Sequence, residues 1–365
     1  MTAGLVIYFC FYIAVALYLV ILGCFMLTRR KNPCSTHGEI VVKQRMTCTV
    51  GVLMLVWATA WLIYLPAMLH GCGKDHPVYE LLFLTALLLD TPMIYQVMLA
   101  IVQRKSDVVR ETGVIVLPFL ILTAWYIVMP EGGNTRLPCH IAAILSISLI
   151  IFFLVRYVSE YRLYIQRVRS EYSETSGREI IWSWSCFAGF AIQLMIFVLY
   201  SYLWTPWLEI VYMVLIVVNA TYLCHCTYKQ KPIDYDVVDD VKPDPSKEVK
   251  IEEKAFYALI EQRLESLCEK KLLFLEPDLT RETLCLRLNI GRTYLGMYLH
   301  SRGLTFYQYI NTLRVEYAIK LMEENPEMPI REVSELSGFR SQTTFRKVFK
   351  EVMGCLPSEI RKSNQ

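Results

Sequence analysis

Long apolar segments alternate with short polar ones along the first 228 residues of the chain. A lipid bilayer has a hydrocarbon core about 30 Å thick, which roughly 20 apolar helical residues cross. Seven segments come close to or exceed this length, at about residues 4–27, 46–69, 78–102, 113–129, 138–155, 180–203 and 206–227. So many in succession are typical of a membrane bundle rather than of buried helices in a soluble domain. The pattern therefore predicts seven transmembrane helices.

Beyond Tyr228 the long apolar segments give way to a polar stretch and then to short amphipathic segments. Asp, Lys and Pro dominate residues 229–250, a composition that predicts a solvated linker. After the linker, apolar side chains recur at three- and four-residue steps, which indicates a helix with one apolar face. This stripe consists of Phe256, Leu259, Ile260, Leu264 and Leu267. We expect the helix to pack onto its own domain rather than to form a dimeric coil.

The segment that starts at Leu279 has the pattern of two helices separated by a short turn. A helix over about 280–288 meets a turn at Asn289–Gly291, and a second helix extends to about His300.

The same pattern recurs from Ile330. There a short helix ends at Gly338, which can adopt the positive φ that a tight turn needs, and Ser341 is placed to cap the following helix. Two helices joined by a short glycine-containing turn, occurring twice, predict two helix-turn-helix units.

A longer helix is predicted between the two units, over about residues 306–325. Its apolar stripe consists of Phe306, Tyr309, Ile310, Leu313, Tyr317 and Leu321. About 20 residues at 1.5 Å each give a rod of about 30 Å, close to the ~34 Å of one DNA turn. Such a rod can place the two recognition helices in successive major grooves.

The predicted chain is thus all-α, with a seven-span transmembrane domain over 1–228, the polar linker over 229–250 and a double helix-turn-helix domain over 251–365. Composition agrees with this division, because residues 1–228 hold 15 Lys+Arg and 12 Asp+Glu, whereas residues 229–365 hold 22 of each. The contrast excludes one compact soluble enzyme. The sequence has no Gly-rich phosphate loop and no HExxH-type metal pair, so we expect no enzyme activity and no cofactor.

Basic residues in the predicted loops set the orientation of the membrane domain, because Lys and Arg concentrate on the cytoplasmic side. One side of the bundle has only Lys74 and Arg136. The other side has 13 basic residues: Arg29, Arg30, Lys31, Lys43, Arg45, Arg104, Lys105, Arg110, Arg156, Arg162, Arg167, Arg169 and Arg178. This asymmetry predicts that the N-terminus lies outside and that the chain beyond Tyr228 lies in the cytosol.

A few polar side chains lie inside the predicted spans, where a charge costs several kcal/mol. Asp90 and Gln96 are in the third span and Gln193 is in the sixth. They predict either a polar pocket, centred on Asp90, that binds a ligand or moves a proton, or hydrogen bonds that hold the helices together. Both interpretations stay open at this point.

Most of the 12 cysteines lie in predicted spans or in the cytosolic part. Cys72 and Cys139 are different because they lie in or beside external loops, where a disulfide between them can form. Cys224–Cys226 contains adjacent Cys and His residues, but without a second pair of ligands this fragment does not predict a metal site.

Charge supports a DNA-binding function for the second predicted unit. Residues 251–365 are nearly neutral, with 17 basic and 16 acidic residues. Residues 340–350, however, contain Arg340, Arg346, Lys347 and Lys350 and no acid. Attraction to DNA phosphates needs such a local basic face and does not require a positive domain.

The run from about 251 to 362 resembles the DNA-binding domain of AraC/XylS-type transcription regulators. The matching residues are Arg292-Thr293-Tyr294-Leu295, Phe306-Tyr307-Gln308-Tyr309-Ile310-Asn311, Leu313-Arg314, Ala318, Ile330, Val333, Gly338-Phe339, Ser341, Phe345, Val348-Phe349-Lys350, Gly354, Pro357 and Arg361. The resemblance covers about a third of the chain. The family's usual sugar-binding domain is absent, and the membrane half resembles only seven-helix proteins in general.

The resemblance implies which residues contact DNA. In the second unit they are Gln342, Thr343, Arg346 and Lys347, beside Arg340, Ser341 and Lys350 of the same basic run. In the first unit the corresponding positions are Arg292, Thr293, Gly296, Met297 and His300. Gly296 and Met297 stand where family members often have polar side chains, so we expect weaker base recognition by the first unit.

Taken together, these features predict a membrane-bound, one-component transcription regulator in the inner (cytoplasmic) membrane of a bacterium. The expected partners are double-stranded promoter DNA, a second copy of the chain, the lipid bilayer and an unidentified signal molecule. The resemblance also implies RNA polymerase as a partner and activation of nearby promoters as the role of the domain. Two alternatives remain: a seven-helix receptor or transporter whose tail binds a protein, and a bundle that serves only as an anchor.

Overall fold

The computed structural model describes residues 3–28, 37–69, 77–103, 108–128, 137–175, 178–203, 206–233 and 252–363. Within these ranges the chain forms α-helices and one short 3-10 turn, and no strand. The prediction of an all-α fold is confirmed. The described chain divides into two compact units, one of Met1–Tyr164 and Glu179–Ile233, the other of Ile165–Arg178 and Asp234–Gln365.

The first unit contains seven helices that are long and apolar enough to cross a membrane, as predicted. They are α1 (Ala3–Thr28), α2 (His37–Leu69), α3 (Pro77–Ile101), α4 (Val108–Val128), α5 (Leu137–Glu171), α6 (Ser183–Leu203) and α7 (Pro206–Lys229).

Two of these helices extend well beyond the apolar segments that predicted them. Helix α2 begins at His37 rather than near residue 46, and α5 continues to Glu171 rather than ending near residue 155. Arg, Lys and Glu are good helix formers, and no Gly or Pro interrupts either extension after residue 38 or before residue 171. The prediction of loop positions is therefore wrong for these basic residues, which are all helical: Lys43, Arg45, Arg110, Arg156, Arg162, Arg167 and Arg169.

Helix α2 also contributes to the end of α7. The Lys43 ammonium group is buried and donates hydrogen bonds to the carbonyl oxygens of Thr227 at 2.6 Å, Tyr228 at 2.8 Å and Gln230 at 2.5 Å. The last carbonyls of a helix have no partner within the helix, and a cation is favoured there. Lys43 thus satisfies the C-terminus of α7.

The first residues of the predicted linker, to Ile233, are part of the first compact unit. Gln230 and Ile233 are buried, and the Gln230 side chain donates to the Tyr164 hydroxyl at 2.9 Å. The Ile233 N–H donates to the Gln103 side-chain oxygen at 2.8 Å. The prediction of a solvated linker is therefore wrong for these positions, and residues 234–250 lie outside the described residues.

The second unit is built from shorter helices. They are α8 (Glu252–Lys271), a 3-10 turn (Leu273–Leu275), α9 (Arg281–Leu288), α10 (Arg292–Ser301), α11 (Phe306–Glu324), α12 (Ile330–Leu336), α13 (Gln342–Met353) and α14 (Pro357–Ser363).

These helices surround two hydrophobic clusters that share α11. The first cluster contains residues of α8, the 3-10 turn, α9 and α10 together with Phe306 and Ile310 of α11. The second contains residues of α12 and α13 together with Tyr307, Val315 and Ala318 of α11. The prediction of one apolar stripe on this helix captured the first face and missed the second.

Helix α8 packs onto its own domain, as predicted. Ile260 and Leu264 are fully buried in the first cluster, and Leu267 packs against it. Leu259, which was predicted to share their stripe, is instead exposed.

Candidate nucleic-acid interface

The first helix-turn-helix unit consists of α9, a turn and α10. Thr280 caps α9, and its side chain accepts a hydrogen bond from the Thr283 N–H. Asn289 ends the helix in the left-handed conformation, with φ of 51°. Gly291 is extended, with φ of −69°, and precedes α10. The left-handed residue of this turn is therefore Asn289, which tolerates that conformation better than most side chains.

The second unit consists of α12, a turn and α13, and both of its predicted local features are confirmed. Gly338 has φ of +80°. The Ser341 hydroxyl accepts a hydrogen bond from the Thr344 N–H at 3.1 Å and so caps α13. A Cβ at position 338 would lie 2.6 Å from the Leu275 carbonyl oxygen, so glycine also permits close approach of the 3-10 turn.

Helix α13 has one buried and one exposed face. Phe345, Val348 and Phe349 are buried in the second cluster. The opposite face carries the residues predicted to contact DNA: Thr343, Arg346, Lys347 and Lys350 are exposed and Gln342 is half-buried. The structure therefore brings these five side chains together on one surface, hereafter the α13 face.

Helix α10 presents a less accessible surface. Leu295, Tyr298 and Leu299 are buried in the first cluster. Of the predicted contact residues, His300 is exposed, whereas Arg292, Thr293, Gly296 and Met297 are half-buried.

Acidic neighbours neutralise most arginines near the first unit. Arg292 pairs with Glu282, Arg287 pairs with Glu276 at 2.8 Å, and Arg281 pairs with Glu171. Arg340, predicted to bind DNA from the second unit, likewise pairs with Asp278. Among the described residues, Arg346 and Lys350 on the α13 face are in no ion pair. The positive charge available to an anion is therefore concentrated on α13.

Arg314 joins the two helix-turn-helix units from inside their domain. It is fully buried on α11 and donates from Nε to the Phe274 carbonyl and from Nη2 to the Glu276 carbonyl, both at 2.7 Å. Its guanidinium also lies 5.6 Å from the ring centroid of Phe339 in the second unit. Burial lowers the pKa of Arg314 to about 10. The sequence signal was a charged residue at a helical position between apolar neighbours, but it did not reveal these partners.

The family comparison decides the nature of this part of the chain. Residues 284–363 match the family described as a helix-turn-helix domain. The C-terminal part of the chain is an AraC-type helix-turn-helix domain.

Curated relatives of this domain are regulators. The chain is 35% identical over 114 residues to the TCP pilus virulence regulatory protein of Vibrio cholerae, a match that covers 30% of this chain and 41% of that protein. It is 36% identical over 80 residues to the Msm operon regulatory protein of Streptococcus mutans, covering 22% of this chain and 28% of that protein. A third match, 32% identical over 95 residues, is to the uncharacterized transcriptional regulatory protein YesN of Bacillus subtilis.

The chain thus spans less than half the length of these relatives, and no solved structure gave a significant match. The family match at residues 284–363 and these regulators support DNA-binding transcription regulation by the helix-turn-helix domain.

In the seven-helix part of the chain, Asp90 borders a cavity between the helices. The cavity is lined mainly by apolar and aromatic residues, with Asp90, Thr91 and Gln193 as its polar groups. The Asp90 carboxylate accepts a hydrogen bond from the Trp57 side chain, and its Oδ1 atom is buried with no hydrogen-bond partner among the described residues.

The other predicted polar residues form hydrogen bonds between helices. Gln96 does not line the cavity and donates from Nε2 to the Thr112 hydroxyl on α4 at 2.9 Å. Gln193 lines the cavity and also accepts from Asn219 on α7 at 2.8 Å. The bundle thus contains both a cavity beside Asp90 and hydrogen bonds between helices, and ligand binding or proton transfer at the cavity stays a prediction.

The predicted disulfide concerns a residue outside the described ranges, because Cys72 falls there, so it stays a prediction. The Cys139 thiol lies 3.8 Å from the Glu80 carbonyl oxygen. In the described part of the chain no group of His, Cys, Asp and Glu side chains is arranged to hold a metal ion.

Proposed function

We propose that this protein is a membrane-bound one-component transcription regulator. The observation that carries the proposal is the α13 face, an exposed basic surface on the capped second helix of a helix-turn-helix unit. In such units the second helix enters the major groove of DNA. The proposed partner of this surface is double-stranded promoter DNA.

The proposed contacts differ between the two units. On α13, Gln342, Thr343 and Arg346 are proposed to reach base edges, and Lys347 and Lys350 to bind phosphates. On α10, Arg292, Thr293, Met297 and His300 occupy the corresponding positions and contribute less, because α10 is half-buried and Arg292 is already paired. Arg340 and Ser341 complete the proposed site at the start of α13.

Replacing Arg346 or Lys350 with alanine is expected to weaken DNA binding in two different ways. Loss of a base contact by Arg346→Ala costs about 1–3 kcal/mol and relaxes sequence preference at one position. Loss of a phosphate contact by Lys350→Ala weakens binding to all sequences and lowers the salt slope by about 1. Binding of the full-length protein to duplex DNA at several stated salt concentrations measures both effects.

Lys320→Ala is the matched control, because Lys320 is exposed on α11 and lies outside the α13 face. It should leave affinity and salt slope unchanged. If the protein binds duplex DNA without steep salt dependence, or not at all, the alternative gains support, namely a seven-helix receptor or transporter whose tail binds a protein.

The membrane domain is proposed to lie in the bacterial inner membrane with its N-terminus outside and the helix-turn-helix domain in the cytosol. A regulator of this kind would act as a homodimer and contact RNA polymerase near the promoter. Labelling of single exposed cysteines from either side of spheroplasts would test the orientation.

The bundle is proposed to sense a signal at the Asp90 cavity rather than to serve only as an anchor. Its aromatic walls include Trp57 and Phe190, and Asp90 has a carboxylate oxygen with no partner among the described residues. Aromatic faces and one carboxylate suit a small molecule with an apolar body and a cationic or hydrogen-bond-donating group.

Asp90→Asn keeps the size of this side chain and removes its charge, so it should alter the set of regulated transcripts while the protein level stays the same. Transcript sequencing and immunoblotting of the same cells would measure the two quantities. Gln96→Ala is the control, because Gln96 is a polar span residue away from the cavity. An Asp90→Asn strain with unchanged transcripts and protein level would favour the anchor.

A further inference from the structure

The end of α5 and the residues after it belong to the compact unit that contains the helix-turn-helix domain, although most of α5 belongs to the seven-helix unit. We call Ile165–Arg178 the docking segment. The Ser173 N–H and hydroxyl both donate to the Leu279 carbonyl, at 3.4 Å and 2.6 Å. Tyr172 pairs with Thr280 in an isolated antiparallel bridge. The segment therefore lies against the residues that begin α9.

The docking segment also contacts α11 and α13. Asn311 on α11 donates from Nδ2 to the Ser173 carbonyl at 2.9 Å. The Arg169 guanidinium lies 5.3 Å from the ring centroid of Tyr307 and 3.5 Å from the carboxylate of Glu351 on α13. One short segment thus contacts both helix-turn-helix units.

Glu171 brings a carboxylate to the first helix-turn-helix unit. It pairs with Arg281, and the two side chains are only 5% and 7% exposed. Arg281 Nη1 lies 3.5 Å from the position of a Cβ on Gly296, in the middle of the proposed DNA-contacting positions of α10. Burial raises the pKa of the Glu171 carboxyl to about 7, and the positive charges of Arg281 and Arg292 oppose this rise. The carboxylate is therefore at the surface through which α10 would meet DNA.

Arg281 is the first residue of α9, and the first helix of a helix-turn-helix unit crosses the DNA backbone. A guanidinium at this place is suited to a phosphate oxygen, which makes the same charge-assisted hydrogen bonds as a carboxylate. While Glu171 is bound, Arg281 is buried and unavailable to DNA.

We propose that the docking segment is autoinhibitory: Glu171 occupies the place of a DNA phosphate at Arg281, and the first helix-turn-helix unit binds DNA only after the segment has left. This inference rests on the proposed DNA-binding function. It assigns the control of DNA binding to α5, a single helix that runs from Leu137 to Glu171 and contributes residues to both units.

The docked arrangement is suited to release. The Nε atom of Arg281 is buried with no hydrogen-bond partner among the described residues. The desolvation penalty of a buried donor without a partner offsets part of the stability that the ion pair provides. A shift or rotation of α5 that separates Glu171 from Arg281 would therefore lose less stability than a fully satisfied buried pair provides.

A disulfide between the docking segment and α9 tests the proposal directly. Residues opposite each other in an antiparallel bridge have Cα atoms about 4.5–5.5 Å apart, within the range of disulfides. Tyr172→Cys with Thr280→Cys should therefore lock the segment in place under oxidising conditions. We expect the oxidised full-length protein in lipid nanodiscs to bind a mixed-sequence 40-base-pair duplex about 5–150-fold more weakly than the reduced form, the usual range for coupled sites.

The two single-cysteine variants, treated with the same oxidant, control for disulfides with native cysteines and for loss of the Thr280 cap. They should bind equally well before and after reduction. An oxidised double variant that binds as tightly as its reduced form would overturn the proposal.

A second variant tests the role of the charge. Glu171→Gln frees Arg281, so binding should become tighter, and the slope of log affinity against log salt should steepen by about 0.9, the value for one added phosphate contact. Glu335→Gln is the matched control, because it removes the same charge from an exposed ion pair on α12. Faster amide hydrogen exchange over 165–178 in Glu171→Gln alone would report release of the segment.

Ser173→Ala weakens docking without a change in charge and should shift affinity in the same direction to a smaller extent. If release is seen by hydrogen exchange and DNA binding weakens, the segment supports the binding-competent fold and the proposal is wrong. If wild type binds DNA through Arg346 and Lys350 and is indifferent to Glu171→Gln, only the autoinhibition fails. If no variant binds DNA, the proposed function fails as well.

Discussion

Replacing Gly338 with alanine should destabilise the helix-turn-helix domain by about 3–5 kcal/mol, in the range of the largest single-residue effects. Two penalties add at this position. A φ of +80° costs an L-residue about 1–2 kcal/mol. The new Cβ would also lie 2.6 Å from the carbonyl oxygen and 2.8 Å from the Cα of Leu275, and these backbone atoms cannot rotate away.

Gly354→Ala separates the two penalties. Gly354 has nearly the same backbone conformation, with φ of +75°, but apart from its chain neighbours no atom of the described residues lies within 4 Å of the place that an alanine Cβ would take. It should therefore lose only the strain of about 1–2 kcal/mol. Urea unfolding of the domain in the full-length protein, followed by pulse proteolysis, gives both values. Equal losses for Gly338→Ala and Gly354→Ala would show that the contact with Leu275 relaxes freely.

Arg314→Met should destabilise the domain by about 3 kcal/mol or more. The Arg314 guanidinium is the donor to the carbonyls of Phe274 and Glu276, at 2.7 Å each. Methionine fills similar space but donates no hydrogen bond, and each buried acceptor left without a partner costs about 1–3 kcal/mol. The same unfolding experiment measures the loss.

Arg314→Lys should recover less than half of this loss, because one ammonium group cannot reproduce the planar fork of a guanidinium. Arg331→Met is the control, since Arg331 is 81% exposed in an ion pair with Glu335, and should cost less than about 1 kcal/mol. A lysine variant as stable as wild type would mean that charge alone, rather than the geometry of the fork, holds the 3-10 turn.

Local patterns in the sequence predicted most of the fold. Apolar length predicted the seven helices that are long and apolar enough to cross a membrane, and the spacing of turns predicted both helix-turn-helix units, including the positive φ at Gly338 and the cap at Ser341. These features depend on residues close together in the chain. Composition also indicated where the apolar segments end, but a helix does not end where its hydrophobicity does, as the extension of α5 to Glu171 shows.

Long-range partners could not be predicted in this way. The exposed face of α13 follows from helical periodicity, whereas the pairing of Arg281 with Glu171 joins residues more than one hundred positions apart and leaves no periodic trace. Arg314 is a similar case, because its role depends on carbonyl groups that any sequence possesses. Charge counts likewise treated Lys43 as a loop residue, whereas it completes the end of α7.

The sharing of α11 between two hydrophobic clusters bears on modularity. Phe306 and Ile310 belong to one core, and Tyr307, Val315 and Ala318 belong to the other, so neither core is complete without the same rod. A fragment limited to one unit would expose the other face of α11 to water and become prone to aggregation. We therefore expect the two helix-turn-helix units to fold together. A shortened chain that kept only one of them would not be a stable, smaller DNA-binding domain.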